Sequence, residues 1–213
     1  MLNTKMLQGA FEMASGAHAK QKRKGTETPY IAHPMAVASL IIEAGGSDHV
    51  VAAAFLHDVI EDCGFDEAQI RTHFGDRVTE LVLAVTNPSI KWKELKSQYE
   101  VDKVLTEYRL KYMEKLRGSE PDIQLLSVAD KLHNARGILQ DLRNARDDEG
   151  EGKHPEEVAK LTMEVWDRFR GKRKGTLWYY QELAKVYSES ESAKVRTLGR
   201  HLCAITDEMA RDF

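Results

Sequence analysis

The stretch VVAAAFLHDVIED, residues 50–62, decides how this chain is read. Val50 to Leu56 is an unbroken apolar run, and His57 and Asp58 interrupt it before Glu61 and Asp62 follow. The run is far shorter than the ~20 residues that cross a bilayer. Gly45-Gly46 ends whatever precedes it, and Ser47 or Asp48 can cap a new helix, so the spacing predicts one helix from there to about Asp62. Burying His57 and Asp58 in so apolar a helix would cost several kcal/mol per ion unless something compensates. A divalent metal does so economically, because it satisfies imidazole nitrogen and carboxylate oxygen together.

Outward from this stretch the pattern stays helical, with few segments alternating in the strand manner. The first helix is predicted over about Leu2 to Lys22, and a basic loop, RKGTETPYIAH (residues 23–33), follows. Pro34 sits where a first helical turn tolerates proline, and Met35 to Ala44 continues. Asp66 caps a short helix ending near Phe74-Gly75, and Asp76 caps another that ends before Asn87-Pro88. A charged helix over about Lys91 to Leu116 is broken by Gly118-Ser119-Glu120-Pro121, and Asp122 to Asn144 forms the next. The segment RDDEGEGKHPEE (146–157) reads as a polar loop before helices within Glu156–Arg170, Gly175–Ser188 and Ser192–Asp212. The expectation is an all-α bundle of about ten helices, one domain over 1–213, with the helices from about 155 forming a subdomain that can close over a site.

Composition narrows the function classes. The chain has 213 residues, 31 basic and 34 acidic side chains, a net charge of −3 and 42% hydrophobic residues, which suits a folded globule and not a disordered chain. The near-neutral balance argues against bulk nucleic-acid binding, and no apolar run suits a membrane span. The N-terminus lacks a basic stretch followed by an apolar block, so no signal peptide is expected. Cys63 and Cys203 stand far apart, without metal-type spacing, and read as free thiols in a reducing cytoplasm. Oligomeric state is not legible.

The residues that can do chemistry are mostly histidine and aspartate. His33 stands at a helix start in YIAHP, His57-Asp58 lies in the apolar run, and Asp130 lies in SVADKLHNAR (127–136). These are four candidate metal ligands from three helices, with no thiolate among them, which favours manganese, iron, magnesium or zinc. Glu61 falls one turn after His57 and Asp62 one turn after Asp58, so both carboxylates lie beside the ligands, where one can deprotonate a water and the other serve a leaving group. Asn134 shares a helix face with Asp130 and can bond a sugar or phosphate, whereas His133 is one step off that face and reads as surface. Lys20, Lys22, Arg23 and Lys24 lead into His33 and suggest a clamp for an anion, with Arg23 able to stack on a base. Lys91, Lys93 and the run RGKRK (170–174) are unspecific candidates for phosphate contact. Trp178, Tyr179 and Tyr180 read mainly as core, with Tyr179 kept as a candidate ligand contact.

The ordered set RKGTETPYIAHPMAVASLI, AAAFLHDVIED, HFGDRVTELVLAVTNPS and LLSVADKLHNARGIL resembles the HD-domain hydrolases of the RelA/SpoT type, and in size the stand-alone small alarmone hydrolases. The likeness covers about Gln8 to Gln140 well and TLWYYQELA weakly. It implies an all-α HD bundle and one manganese ion, other divalent ions being possible, held by His33, His57, Asp58 and Asp130. It implies catalysis by Glu61 and Asp62, contact of Arg23 and Lys24 with the nucleotide base, and contact of Asn134 with the sugar region. The activity implied is removal of the 3′-pyrophosphate from guanosine 3′-diphosphate 5′-diphosphate or its pentaphosphate form, or from the adenosine counterparts, giving a 5′-di- or triphosphate and pyrophosphate. The basic loop has one residue more than the family's RKSGEPY-like form, so the base stays open. Two other readings remain: an HD nucleotidase that releases orthophosphate, and a non-catalytic module that senses nucleotides.

Overall fold

Why a helix can be apolar all round is answered by where α3 (Asp48–Leu56) sits. Val50, Val51, Ala52, Ala53, Ala54 and Leu56 are all fully buried, because α1 (Thr4–Ala17), α2 (Ala32–Glu43) and two later helices surround it. The computed structural model describes residues 3–87, 90, 92–147 and 154–213. Among these residues the chain forms α1 to α3, α4 (Val59–Cys63), α5 (Glu67–Val85), a short 3-10 turn (Trp92–Glu94), α6 (Gln98–Arg117), α7 (Pro121–Asp147), α8 (Pro155–Asp167), α9 (Lys172–Ser188) and α10 (Ala193–Asp212). Among the described residues there is no strand; one isolated antiparallel bridge joins Lys22 to Pro29. The all-α bundle of ten helices agrees with the sequence expectation.

α7 is the second spine. Leu126, Val128, Ala129, Leu132, Ala135 and Leu142 are buried along it, with α2, α3 and α5 on one side and α8 to α10 on the other. The C-terminal helices share one continuous apolar core with the N-terminal ones, from Val50 to Leu183 and Leu202.

Three boundaries depart from expectation, each for a local reason. The helix predicted through Asp62 breaks at His57-Asp58, where α3 hands over to α4. Neighbours on a straight helix diverge by about 100°, and the break lets both side chains turn to one point. α1 stops at Ala17 and not near Lys22. The following residues instead close a loop on themselves: Arg23 N donates to Thr28 O at 2.8 Å and Tyr30 N to Gln21 O at 2.9 Å. The basic run is therefore an arm of a closed loop, not a solvated helix end. α6 starts at Gln98, because the Ser97 side chain accepts from Glu100 N; Lys91 and Pro88 lie outside the described residues. The helix ending near Phe74-Gly75 and the one following it are as expected: within α5 the backbone leaves the helical region at Gly75 (φ 78°, ψ 177°), a conformation that suits glycine. Asp66 caps that element with a reciprocal capping box to Gln69.

Candidate metal centre

Three helical pieces deliver four acceptor groups to one point. The start of α2 brings His33, the α3–α4 break brings His57 and Asp58, and the middle of α7 brings Asp130. His57 Nε2 lies 3.0 Å from Asp58 Oδ2 and 3.7 Å from Asp130 Oδ1. His33 Nε2 lies 3.1 Å from Asp130 Oδ1, 3.6 Å from Asp58 Oδ2 and 3.2 Å from His57 Nε2. One donor atom each from His33, His57 and Asp58 falls within 4.8 Å of the others. Both histidines are buried.

The donor set fits a divalent cation. The His57 Nδ1–H donates to Ala54 O at 2.8 Å, so its Nε2 lone pair faces the cluster. With carboxylates beside it, that nitrogen sits in a strongly negative field. Burial opposes charge on His57, but Asp58 and Asp130 overcome it and lift its pKa well above the ordinary range. The field that holds a proton at Nε2 is the one that draws a cation there, and binding the cation expels the proton. Burial likewise raises Asp58 and Asp130, yet His57 reverses it for Asp58 and Lys131 for Asp130, so both carboxyls lie low.

The ligands are themselves held. The Tyr30 hydroxyl donates to Asp58 Oδ2 at 2.6 Å. Burial and the Asp58 charge push the Tyr30 phenol far up, so it stays a donor. On α7, Lys131 Nζ donates to Asp130 Oδ2 at 2.5 Å, and Asn134 Nδ2 donates to Asp130 Oδ1 at 2.6 Å. Arg23 then donates to Asn134 Oδ1 at 2.7 Å, which ties the basic loop to a candidate ligand through one amide. Tyr30 and Lys131 escaped the sequence reading. The one available signal for Lys131 was its place beside Asp130.

A cleft of 590 Å³ opens beside the cluster. Its lining includes the cations Lys22, Arg23 and Lys24, the polar His33, His133 and Asn134, and the rings of Phe169 and Tyr180. The Arg23 guanidinium lies 5.5 Å from the Tyr30 ring centre, and Lys24 Nζ lies 5.9 Å from that of Phe169. Burial and the nearby Arg170 lower the Lys24 pKa.

The other sequence candidates divide. Asp62 lines the cleft and accepts from Gln21 Nε2 at 2.8 Å. Glu61 turns to Asn87, accepting from its Nδ2 at 2.8 Å and its backbone N at 3.2 Å, and Tyr108 OH donates to the same Asn87 side chain. Loss of hydration raises the Glu61 pKa, partly offset by Asn87. Lys93 is exposed in the 3-10 turn and is not among the cleft's walls. Tyr179 carries the Arg109 guanidinium 4.5 Å from its ring centre, and its neighbour Tyr180 lines the cleft in its place. His133 is no plain surface residue: its Nδ1 lies 2.8 Å from His33 Nδ1, and burial with the charges of His33 and Arg23 lowers its pKa to about 4.

The chain is similar to known proteins over most of its length. A family model described as HD domain matches residues 10–177. A protein of Synechocystis named probable guanosine-3′,5′-bis(diphosphate) 3′-pyrophosphohydrolase is 32% identical over 197 residues, which is 89% of this chain and 23% of that protein. The Mus musculus protein named guanosine-3′,5′-bis(diphosphate) 3′-pyrophosphohydrolase MESH1 is 37% identical over 134 residues, 61% of this chain and 67% of that one. The chain thus spans less than a quarter of the long Synechocystis relative and two thirds of the short mouse one. A solved structure described as "A metazoan ortholog of SpoT hydrolyzes ppGpp and plays a role in starvation responses" superposes with a TM-score of 0.61 at 23% identity, covering 99% of this chain and 97% of that chain. At that identity the likeness speaks to the fold.

Proposed function

Because the chain belongs to the HD-domain family, in its RelA/SpoT type, we propose that it is a metal-dependent hydrolase that removes the 3′-pyrophosphate of (p)ppGpp or of the adenosine counterparts (p)ppApp. The observation that carries this is the convergence of His33, His57, Asp58 and Asp130 at the edge of a cleft lined by Lys22, Arg23 and Lys24. One side of the cleft suits a divalent cation and the other a polyanionic nucleotide. We assign manganese as the ion, with His33, His57, Asp58 and Asp130 as its holders. When bound, it lowers the pKa of a water and draws charge from a phosphate oxygen.

The chain's own residues do the rest in this reading. Arg23, over the Tyr30 ring and bonded to Asn134, is in place to contact a purine base, and Lys24 stands beside it in sequence. Asn134 lies where a ribose oxygen can reach it. Asp62 and Glu61 share the proton work: one accepts the proton of the attacking water, and the other delivers a proton to the leaving ribose 3′-oxygen. The bond formed joins water oxygen to the phosphorus next to the ribose, and the bond broken is from that phosphorus to the 3′-oxygen. Products are a nucleoside 5′-di- or triphosphate and pyrophosphate. Lys93 and Tyr179 stand outside this scheme as the cleft is formed. We treat 1–213 as a single unit in which the segment between α8 and α9 contributes Phe169 to the cleft lining beside Lys24. Among the described residues no helix is long and apolar enough to cross a membrane; we propose a cytoplasmic enzyme acting on a nucleotide, without a nucleic-acid partner.

The test loads purified, manganese-reconstituted protein with the 3′,5′-bis(diphosphates) of guanosine and adenosine in parallel and resolves products by anion exchange, with Asp58→Ala as blank. Pyrophosphate plus a 5′-diphosphate is the expected result, and the faster base settles specificity. Orthophosphate would establish the nucleotidase instead. No cleavage by metal-loaded protein would leave a sensing module.

A further inference from the structure

The two candidate histidine ligands are oriented by different means. The second nitrogen of His57 is taken by a carbonyl of its own helix, Ala54 O at 2.8 Å, which no side-chain substitution removes. The second nitrogen of His33 faces a side chain, the Nδ1 of His133, also at 2.8 Å. α7 therefore meets both nitrogens of the His33 ring. Asp130 Oδ1 lies 3.1 Å from Nε2, and His133, three residues along the same helix, lies at Nδ1. The ring centres of His33 and His133 are 4.9 Å apart and tilted by 38°, an in-plane approach and not a stack.

A hydrogen bond between two imidazole nitrogens needs one proton, so its direction is a choice. His33 can offer a lone pair to a cation at Nε2 only if its own proton sits on Nδ1. That proton then points at His133 Nδ1, which must accept and so must be bare. The His133 proton is left on Nε2. We infer that His133 is a positioning residue: it accepts the Nδ1–H of His33, fixes that ring's tautomer and orientation, and so aims the Nε2 lone pair of His33 at the cation. The relay leaves His133 holding an N–H donor at the wall of the cleft. The inference rests on the metal-centre reading above, but not on which nucleotide is cleaved.

The experiment compares unmutated protein, His133→Ala and His133→Asn for divalent-ion affinity, by competition of Mn2+ or Zn2+ against a chelating dye. Asparagine puts an amide oxygen where Nδ1 stands and retains an acceptor, whereas alanine has none. Loss of an outer partner of a ligating histidine weakens metal binding by about 10- to 100-fold. The expected result is a loss of that size in the alanine variant, recovery to within about threefold of the unmutated value in the asparagine variant, and unchanged melting temperatures of the metal-free proteins. Independently, ring-nitrogen NMR of the unmutated, zinc-loaded protein should find His133 bare at Nδ1 and protonated at Nε2. Full affinity in His133→Ala overturns the inference. So does equal weakening in both variants, or a spectrum with the His133 proton on Nδ1. Should the alanine variant not fold, the spectrum of the unmutated protein decides alone. If the unmutated protein binds no divalent ion, the metal-centre reading fails with it, and that outcome is seen before any variant is made.

Discussion

The ligand cluster and the cleft rim lie a few ångströms apart and are built on opposite principles. The cluster hangs on buried helical backbone: His33, His57 and Asp130 are buried, and the core residues Val51, Leu56 and Leu126 behind them are fully so. The rim hangs on one loop, residues 22 to 29, closed by an isolated bridge and propped on side chains of α7 and the α8–α9 elbow. Close packing holds donor atoms to within tenths of an ångström, as metal chemistry needs. A loop propped by long cations can adjust to a flexible nucleotide. The division predicts that cluster substitutions remove activity outright, whereas rim substitutions change how well substrate is held.

The largest effect tests the cluster. Asp58→Ala removes a carboxylate oxygen 3.0 Å from His57 Nε2 and leaves the Tyr30 hydroxyl without its acceptor. Metal catalysis supplies several kcal/mol, and each ~1.4 kcal/mol is tenfold in rate, so turnover should fall by about 10³-fold or more. Metal content by elemental analysis should fall with it. Retained metal and retained turnover would break the comparison at its strong end.

Next comes Glu61→Gln, which sits between the two regions. The amide keeps the size and one acceptor toward Asn87 but cannot take or give a proton. A loss of about 10²-fold in kcat is expected, with metal affinity unchanged. The raised pKa of Glu61 adds a pH signature if it is the base. Its activity then disappears as pH falls through a value above the ordinary glutamate range, and the glutamine variant lacks that limb. An undiminished kcat would transfer the proton work to Asp62 alone.

How far the sequence was legible follows the same division. His57 and Asp58 stood out because a charged or imidazole group in an apolar helix is costly without a partner, and His33 and Asp130 as the further imidazole and carboxylate that could complete a ligand set. The break at His57-Asp58 did not stand out, because both residues keep near-helical dihedrals (φ −59° and −103°) and no glycine or proline marks the spot. His133 was missed because helical spacing places it off the Asp130 face, and a ring's reach is not part of that argument. The loop after Ala17 was missed because its closure depends on contacts across the molecule. Periodicity cannot show Arg23 meeting Asn134, 111 positions away.

A rim substitution should leave the metal alone. Arg23→Ala deletes the guanidinium over Tyr30 and the bond to Asn134. The expected result is a KM higher by about tenfold, the worth of one charge-assisted contact, with metal affinity within about twofold. A drop in kcat with no change in KM would mean that the Arg23–Asn134–Asp130 chain positions the ligand and does not merely hold the base.

The smallest effect isolates the loop's own geometry. Gly25 has a φ of 75°, in the left-handed region that costs an alanine about 1–2 kcal/mol. A Cβ there would also stand 2.5 Å from the Arg168 Nε, and Arg168 is paired to Asp141 on the cleft wall at 2.6 Å. The guanidinium is the flexible end of a long side chain and can swing away, so the strain dominates. Gly25→Ala should lower the melting temperature by about 2–4 °C, the size a 1 kcal/mol loss produces in a domain of this length. Swinging Arg168 loosens the wall that Lys24 and Phe169 share, so KM should rise by a few fold, less than for Arg23→Ala. Metal affinity should not move, because nothing in the cluster touches Gly25. If the variant lost metal as well, loop and cluster would be one cooperative unit, and the separation between a rigid centre and an adjustable rim would not hold for this chain.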